Sequence, residues 1–509
     1  MNIKKKLLFI LLPYFIEKSK FSETSCIAMP YGILSIATFI KQYANIKIFD
    51  CNLHTNYIEA LSHEILDFNP SIIGISLMFD NSYRYLSTII KTIKTHNSTT
   101  KILLGGTATT YSYKEIVNEN PEIDAICFGD GELPLKNYIL TSQFNIGWIT
   151  SNCSTPKKLL LPNLDSVIDV DYSLININDY QNQPEENYSP FMGEEKNKVK
   201  FSCSTSRNCC YKCLFCANSL NPDKQIRYAS IDTIINHIDS LVNKYHMTIL
   251  TLIDDQILYN TKRAKELFKR LQPYNLRIKI IGGVTPLFID EELVDLLWNA
   301  GSKSLTLALE SGSKKVLKIM HKPVKLDQVR QLMKFLRKYN FFIRINLVIG
   351  IPGETDLDRQ ETIAYIREIQ PDIISPKIAS PIYGSKLRQE CIEKGYIPNP
   401  KIDMGAFVMS EAVINTPEYS GKYIEEQILY MNWRTNFVEN YRMNIKDFNS
   451  AKDYFEYVAT KYPQEAFAWY YLNKAKEKLG EIQDWTKFNQ CLQTNPEWAI
   501  RFKNLGVLI

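Results

Sequence analysis

Phe201-Ser202-Cys203-Ser204-Thr205-Ser206-Arg207-Asn208-Cys209-Cys210-Tyr211-Lys212-Cys213-Leu214-Phe215-Cys216 is the richest cysteine stretch of the chain. Within it, Cys209, Cys213 and Cys216 have the spacing C-x3-C-x2-C. Three thiolates on one short loop can ligate three irons of a [4Fe–4S] cluster and leave the fourth iron open. An open iron can chelate a substrate or cofactor, which a four-cysteine electron-transfer cluster cannot do. Cys210, Cys213 and Cys216 could instead begin a zinc site, but no matching Cys or His pair follows at finger spacing. Cys203 lies inside an apolar run and reads as core. A purely structural set of buried thiols does not account for this density.

The loop follows a predicted strand, Val199–Ser204, which opens a regular alternation. Further strands are predicted at Thr248–Ile253, Arg277–Ile281, Ser304–Ala308, Phe342–Ile349 and Ile373–Ile378. Amphipathic helices fill the gaps, among them Ile231–Tyr245, Thr261–Leu271, Asp290–Ala300 and Leu326–Tyr339. Six such units can roll into a partial (β/α)6 barrel, whose chemistry belongs at the carboxyl ends of its strands. Those ends carry Asp254-Asp255, Glu310-Ser311-Gly312 and Gly350-Ile351-Pro352-Gly353-Glu354. Carboxylates there can accept from a ligand ammonium, or merely cap the next helix.

The first 150 residues alternate in the same way, with strands predicted at Lys6–Leu12, Ile46–Asp50, Ile72–Leu77, Lys101–Gly105 and Ala125–Phe128. This predicts a doubly wound parallel sheet that binds ligands at its strand ends. Those ends carry Asp50, Ser76, Gly105-Gly106-Thr107 and Gly129-Asp130-Gly131-Glu132. The start of the chain superficially resembles a signal peptide, but no small-residue cleavage site follows, so it reads as a buried first strand. Residues 151–199 lack periodicity and read as a linker. The region 401–509 reads as helical. Phe455 and Pro463 recur as Phe488 and Pro496, which suggests a tetratricopeptide-like arrangement from about residue 445. Trp469, Tyr470, Tyr471 and Trp485 form an aromatic stripe there that reads as core.

The predicted class is therefore α/β, in four parts: a Rossmann-like sheet over 1–150, a linker over 151–199, a partial barrel over 200–400 and a helical region over 401–509. With 45% hydrophobic and 23% charged residues, the composition excludes a disordered or collagen-like chain. A net charge of +5 gives no argument for nucleic acid or an anionic membrane. No apolar run reaches a membrane span, and eleven cysteines in clusters suit a reducing cytoplasm better than a disulfide framework.

On these residues the chain resembles the radical S-adenosylmethionine (SAM) superfamily, and in particular its members with an N-terminal cobalamin-binding domain. The resemblance covers about residues 1–400. It implies that Cys209, Cys213 and Cys216 hold the cluster and that its open iron binds the amino and carboxylate groups of SAM. It assigns Phe215, Asp254, Asp255, Glu310, Ser311, Gly350 and Pro352 to the SAM side. Ser76, Gly105, Gly106, Thr107, Gly131 and Glu132 fall on the cobalamin side. There are departures. Asn208 stands where the family mostly has Gly, and Val284-Thr285 where many members present an Arg to SAM. Asp130 replaces the first Glu of a GEGE segment. The motif D-x-H-x-x-G is absent, since Asn52 and Thr55 follow Asp50 at its His and Gly positions, so no protein histidine is expected on the cobalt.

The implied chemistry is hydrogen abstraction from carbon by a 5′-deoxyadenosyl radical, then methyl transfer from methylcobalamin to a peptide or natural-product substrate. Flavodoxin or ferredoxin is the implied reductant. The same cofactors support cyclisation, oxidation or ring contraction. A radical enzyme without cobalamin and a non-catalytic iron–sulfur binding module are the competing readings.

Overall fold

The computed structural model describes residues 4–14, 27–151, 156–181, 198–221, 223, 225–398 and 411–509. The first sheet contains β1 (Lys5–Leu11), β2 (Ala44–Asp50), β3 (Ile72–Ser76), β4 (Lys101–Gly105), β5 (Ala125–Cys127) and β6 (Trp148–Ile149), in the order β2-β1-β3-β4-β5-β6. All pairs are parallel except β5 with β6. The alternation of β1 decides its two faces. Leu8 and Ile10 pack toward α2 (Tyr57–Phe68) and α3 (Leu86–His96), while Leu7 and Phe9 pack toward α1 (Tyr31–Ile40) and α5 (Glu132–Thr141). With both faces covered, its apolar run is nearly continuous, as a buried parallel strand requires. The switch in strand order lies between β1 and β3, where such sheets open a crevice at their carboxyl ends.

Six further parallel strands follow in two triplets, β11 (Arg277–Ile280), β10 (Ile249–Leu252) and β7 (Lys200–Cys203), then β12 (Ser304–Glu310), β13 (Phe342–Ile349) and β14 (Ile373–Ile378). A bridge from Val284 to Leu307 joins the triplets into one curved row. Helices Ile231–Tyr245, Thr261–Leu271, Glu291–Asn299, Leu326–Lys338 and Asp356–Ile369 share one apolar core with these strands. Most begin at a side-chain cap: Ser230, Asn260, Asp290 and Thr355 each accept from the backbone N–H three residues on.

The described part of the predicted linker, 156–181, packs against the barrel. Leu161, Leu164, Val167, Ile168, Val170 and Tyr172 enter the core of the barrel together with Tyr31 and Leu34 of α1. It lacks periodicity because it is built of single-turn pieces such as Asp165–Val167 and Tyr172–Leu174. Pro184 and Pro190 lie outside the described residues.

At the far side of the barrel, helix Gly421–Trp433 continues as a π turn, Arg434–Val438, over the edge strand β14. Asn436 there accepts from Ile374 N–H at 2.8 Å and donates to Ile374 C=O at 2.9 Å, which closes the open edge. Helices Phe448–Lys461, Ala466–Leu479, Thr486–Thr494 and Glu497–Asn504 complete the chain around an aromatic core that includes Phe437, Phe455, Phe467 and Phe502. Trp469, Tyr470, Tyr471 and Trp485 pack against that core. Ala451 and Leu472 are buried between helices and Gly480 ends its helix at φ +72, which any helical hairpin does; nothing in it demands a tetratricopeptide register. Among the described residues no helix is long and apolar enough to cross a membrane.

Candidate active site

The cysteine loop leaves β7 and is framed by a small antiparallel hairpin, β8 (Ser206–Arg207) with β9 (Arg227–Tyr228). Asn208 sits between them at φ +84, a conformation that Asn tolerates better than most side chains. Its side chain is used as well: Oδ1 accepts from Cys209 N–H at 2.9 Å, and Nδ2 donates to Gln225 C=O at 3.0 Å. That accounts for an Asn where a Gly was expected. The far end of the loop is pinned from two sides, by Leu214 N–H to Met320 C=O at 2.9 Å and Leu387 N–H to Leu214 C=O at 3.0 Å. Asn218 Nδ2 ties back to Cys209 C=O at 2.8 Å. Phe215 packs against the barrel core.

The loop brings Cys209, Cys213 and Cys216 into one electrostatic neighbourhood. Burial pushes the Cys209 thiol up to about 12 and the Cys213 thiol up to about 11. Asp255 adds to the rise at Cys209 and Cys216, while Lys322 opposes it at Cys213 and Cys216. Loop, second strand and fourth strand therefore converge on one mouth. Among the described residues no trio of ligating side chains is drawn into a coordination sphere. The donor set still suits an iron–sulfur cluster with one open iron: three soft thiols from one loop, and a carboxylate and an ammonium beside them. Cys203 is fully buried in β7, as its place in the strand predicted.

The two aspartates after β10 differ. Asp254 is buried, and both its oxygens accept from the protein: Oδ2 from Thr205 N–H at 3.1 Å, Oδ1 from Thr205 Oγ1 at 2.8 Å and Ser206 Oγ at 2.5 Å. It fastens the start of the cysteine loop to the second strand. Asp255 is exposed at the mouth and has no protein hydrogen bond among the described residues; the surrounding walls and then Asp254 raise its pKa. Glu310 ends β12 at φ +71, after a register shift, and is buried against Lys322 Nζ at 3.1 Å. Burial raises its pKa and Lys322 opposes the rise. Ser311 is buried, its Oγ 3.1 Å from Thr362 Oγ1. Gly350 takes φ +86; its N–H donates to Glu354 Oε2 at 2.6 Å and its C=O accepts from Tyr419 at 2.6 Å. A side chain at Gly350 would strike Ile424. Pro352 is partly exposed on this turn. After the third strand, Gly282 passes so close to Asp254 that a Cβ would stand 2.7 Å from its carbonyl oxygen, and Thr285 is buried.

In the first sheet, Ser76 ends β3 beside Gly105 of β4. Gly106 adopts φ +109, and a Cβ there would stand 2.2 Å from Leu77 O. Thr107 Oγ1 donates to Met78 C=O at 3.0 Å. These four strand-end residues lie together. Gly131 and Glu132 lie at the start of α5, where Gly131 leaves room for Ile36. Glu132 is buried and accepts from Arg207 Nη2 at 2.6 Å and Nη1 at 3.2 Å. Its neighbour Asp130 accepts from Arg227 Nη1 at 2.5 Å and Nη2 at 3.1 Å. Burial raises the pKa of Asp130, but the two arginines bring it below its ordinary value. The Gly129–Glu132 segment thus joins the sheet to the hairpin that frames the cysteine loop.

Arg207, Arg227 and Lys322 were not singled out in the sequence. Their partners are distant along the chain, Glu132 lying 75 residues from Arg207 and Asp130 lying 97 from Arg227. Only Lys322 left a local sign, a lysine and proline closing the short helix Lys314–Ile319 that follows Glu310. Asp50, at the motif position that lacks its histidine, is buried and held by Asn52 and by Tyr180. His54 is exposed and stacks on Phe49 at 4.7 Å between centroids.

Comparison with known proteins bears on the family and the fold. The Radical SAM superfamily model matches residues 203–366, and the B12 binding domain model matches residues 25–139. An uncharacterized methyltransferase of Pyrococcus horikoshii is 24% identical over 374 residues, 71% of this chain and 78% of that protein. The cytidylyl-2-hydroxyethylphosphonate methyltransferase of Streptomyces wedmorensis is 24% identical over 421 residues, 76% of either chain. The cobalamin-dependent SAM radical enzyme OxsB, solved with aqua-cobalamin and SAM bound, shares the fold at a TM-score of 0.66 and 13% identity, covering 99% of this chain and 80% of that one.

Proposed function

We propose, for a chain that belongs to the radical SAM superfamily and carries a B12 binding domain, that it methylates an unactivated carbon of a small natural-product or peptide substrate. The observation that carries this reading is the pair of arginine–carboxylate clamps. Arg207–Glu132 and Arg227–Asp130 fasten the hairpin beside the cysteine loop to the sheet domain, so two ligand-binding strand-end regions belong to one site. Both methyltransferase relatives support methylation over other uses of the same cofactors.

When bound, the cluster and SAM supply hydrogen abstraction from carbon, and cobalamin supplies the methyl group. Cys209, Cys213 and Cys216 are the cluster ligands in this reading. Asp255 faces the SAM ammonium. Lys322, held by Glu310, offers the cation that Val284-Thr285 does not provide for the SAM carboxylate. Phe215, Gly350 and Pro352 line the adenine side. Asp254 and Ser311 act one step back, holding the loop and the strand end in place. Ser76, Gly105, Gly106 and Thr107 present backbone and hydroxyl groups to cobalamin, and the barrel below excludes water.

Anaerobic reconstitution with iron, sulfide and hydroxocobalamin, then incubation with SAM and a reductant, tests this. Formation of both 5′-deoxyadenosine and S-adenosylhomocysteine, with cobalamin retained, is the expected result. If only 5′-deoxyadenosine forms, methylation is wrong and ring-forming or oxidative chemistry replaces it. If a cluster forms and neither product does, either SAM cleavage requires the true substrate or the protein is a cluster-bearing binding module.

A further inference from the structure

A cavity of about 590 Å³ opens beside the cysteine loop, outside the strand-end residues described above. That is within the roughly 300–1,000 Å³ of small-molecule sites. Ile226, Tyr228, Tyr259 and Phe288 provide most of its wall, with Asn260 and Thr261 at one end. None of its described lining residues is charged. The Arg263 guanidinium lies 4.7 Å over the Tyr228 ring and is engaged by Thr205 and Ala229.

The aromatic wall is ordered. Tyr211 meets Tyr259 edge-on at 5.9 Å, and Tyr259 meets Phe288 edge-on at 6.2 Å. Phe288 combines two unfavourable features, a 59% exposed ring and a backbone φ of +61. Thr261 Oγ1 holds it there, donating to Phe288 C=O at 3.0 Å. A bulky residue kept in that conformation with its ring in water is a common mark of a ligand contact. Tyr259 shares the cavity wall with Cys210, next in sequence to Cys209.

We propose that this cavity takes a neutral, planar aromatic group of the substrate and anchors it beside the cluster loop. The walls offer ring faces and edges, the polar end offers amide and hydroxyl groups, and no described lining residue offers a charge for an anionic or cationic group. The proposal rests on the radical SAM reading, since it names the class of substrate.

The test uses the anaerobically reconstituted holoprotein with 5-fluoroindole as probe, read by 19F line broadening. The wild type should broaden the signal, and Phe288→Leu and Tyr259→Leu should each cut the effect by about fivefold, the scale of a lost ring contact. Ile482→Ala, at a remote residue with 92% exposure, should broaden it as the wild type does. Cyclohexanol, a saturated ring alcohol, should displace the probe poorly. Broadening in either ring variant equal to that of the wild type, or displacement by cyclohexanol as effective as by unlabelled indole, overturns the proposal. So does a flavodoxin that binds wild type but not Phe288→Leu while the probe binds neither, because the face is then an electron-donor surface. SAM cleavage is measured separately on the wild type. Its absence, with 5-fluoroindole still bound, would count against the radical reading and leave the anchor standing; cleavage without probe binding would sink the anchor alone.

Discussion

Cys209, Cys213 and Cys216 differ from Cys210 by what surrounds them, not by spacing alone. Cys210 lines the aromatic cavity, while the other three share the field of Asp255 or Lys322. Replacing any of the three by Ala should drop reconstituted iron from about four per chain to below about one, whereas Cys210→Ala should keep it, as iron analysis would show. Asp254 and Asp255 separate in the same way. Asp254→Asn sets an amide against the donors Thr205 and Ser206 and should destabilise the fold by about 2–3 kcal/mol in urea unfolding. Asp255→Asn, exposed and unbonded, should change stability by less than about 0.5 kcal/mol and weaken SAM binding in calorimetry. Glu354 gives a pH effect. It is fully buried and burial pushes its pKa up to about 7 from 4.5, against the pull of Gly350 N–H and Arg359. The folded state thus holds its proton more tightly than the unfolded chain. Its stabilising contribution is complete below pH 4.5 and is lost as pH rises through about 7, a change of roughly 3 kcal/mol. Glu354→Gln should flatten that part of the stability–pH curve; an unchanged slope would show that Glu354 does not titrate there.

Strands and helices were legible where burial is two-sided or amphipathic. Phe342–Ile349 and Ile373–Ile378 have the predicted bounds, and β1 differs from its prediction by one residue at each end. Hairpin β8–β9 was not legible, because two-residue strands have no period to read. The 156–181 strap has no period to read for a related reason: single turns bury apolar residues without repeating them. In the site, the thiols and the strand-end carboxylates were visible as local patterns. Which aspartate of the pair is free, and what Glu132 holds, depended on partners far along the chain. The glycine turns were legible as glycines but not as geometry. Gly106 and Gly395 both have positive φ, yet a Cβ meets Leu77 O at 2.2 Å in the first and nothing within 4 Å in the second. Gly106→Ala should therefore cost at least about 2 kcal/mol, and Gly395→Ala only about 1, the plain left-handed penalty. Denaturant melts of the two variants compare them directly; equal losses would mean that the turn at β4 yields.

Two domains that meet at a reaction must hold a fixed separation, and here that rests on charged side chains in a largely buried seam. Glu132 is 1% exposed and Arg207 25%, so the pair is poorly screened and should keep its strength in high salt. Removing one member leaves the other buried without a partner, and the two directions are unequal. Arg207→Ala strands the fully enclosed Glu132 and should cost about 3 kcal/mol. Glu132→Gln leaves Arg207 with Asp130 at 3.6 Å and partial access to water, so its cost should be smaller. Arg207→Lys keeps the charge but not the two-pronged bond, and should fall between them. A double-mutant cycle should return a coupling of about 1–3 kcal/mol. If the seam serves only stability, Arg207→Lys will lower methyl transfer and SAM cleavage together, in step with the folded fraction. If it sets the distance between the two strand-end regions, as we propose, 5′-deoxyadenosine formation will persist in the folded protein while S-adenosylhomocysteine formation falls by about tenfold or more, because the first needs the barrel alone and the second needs both domains in register.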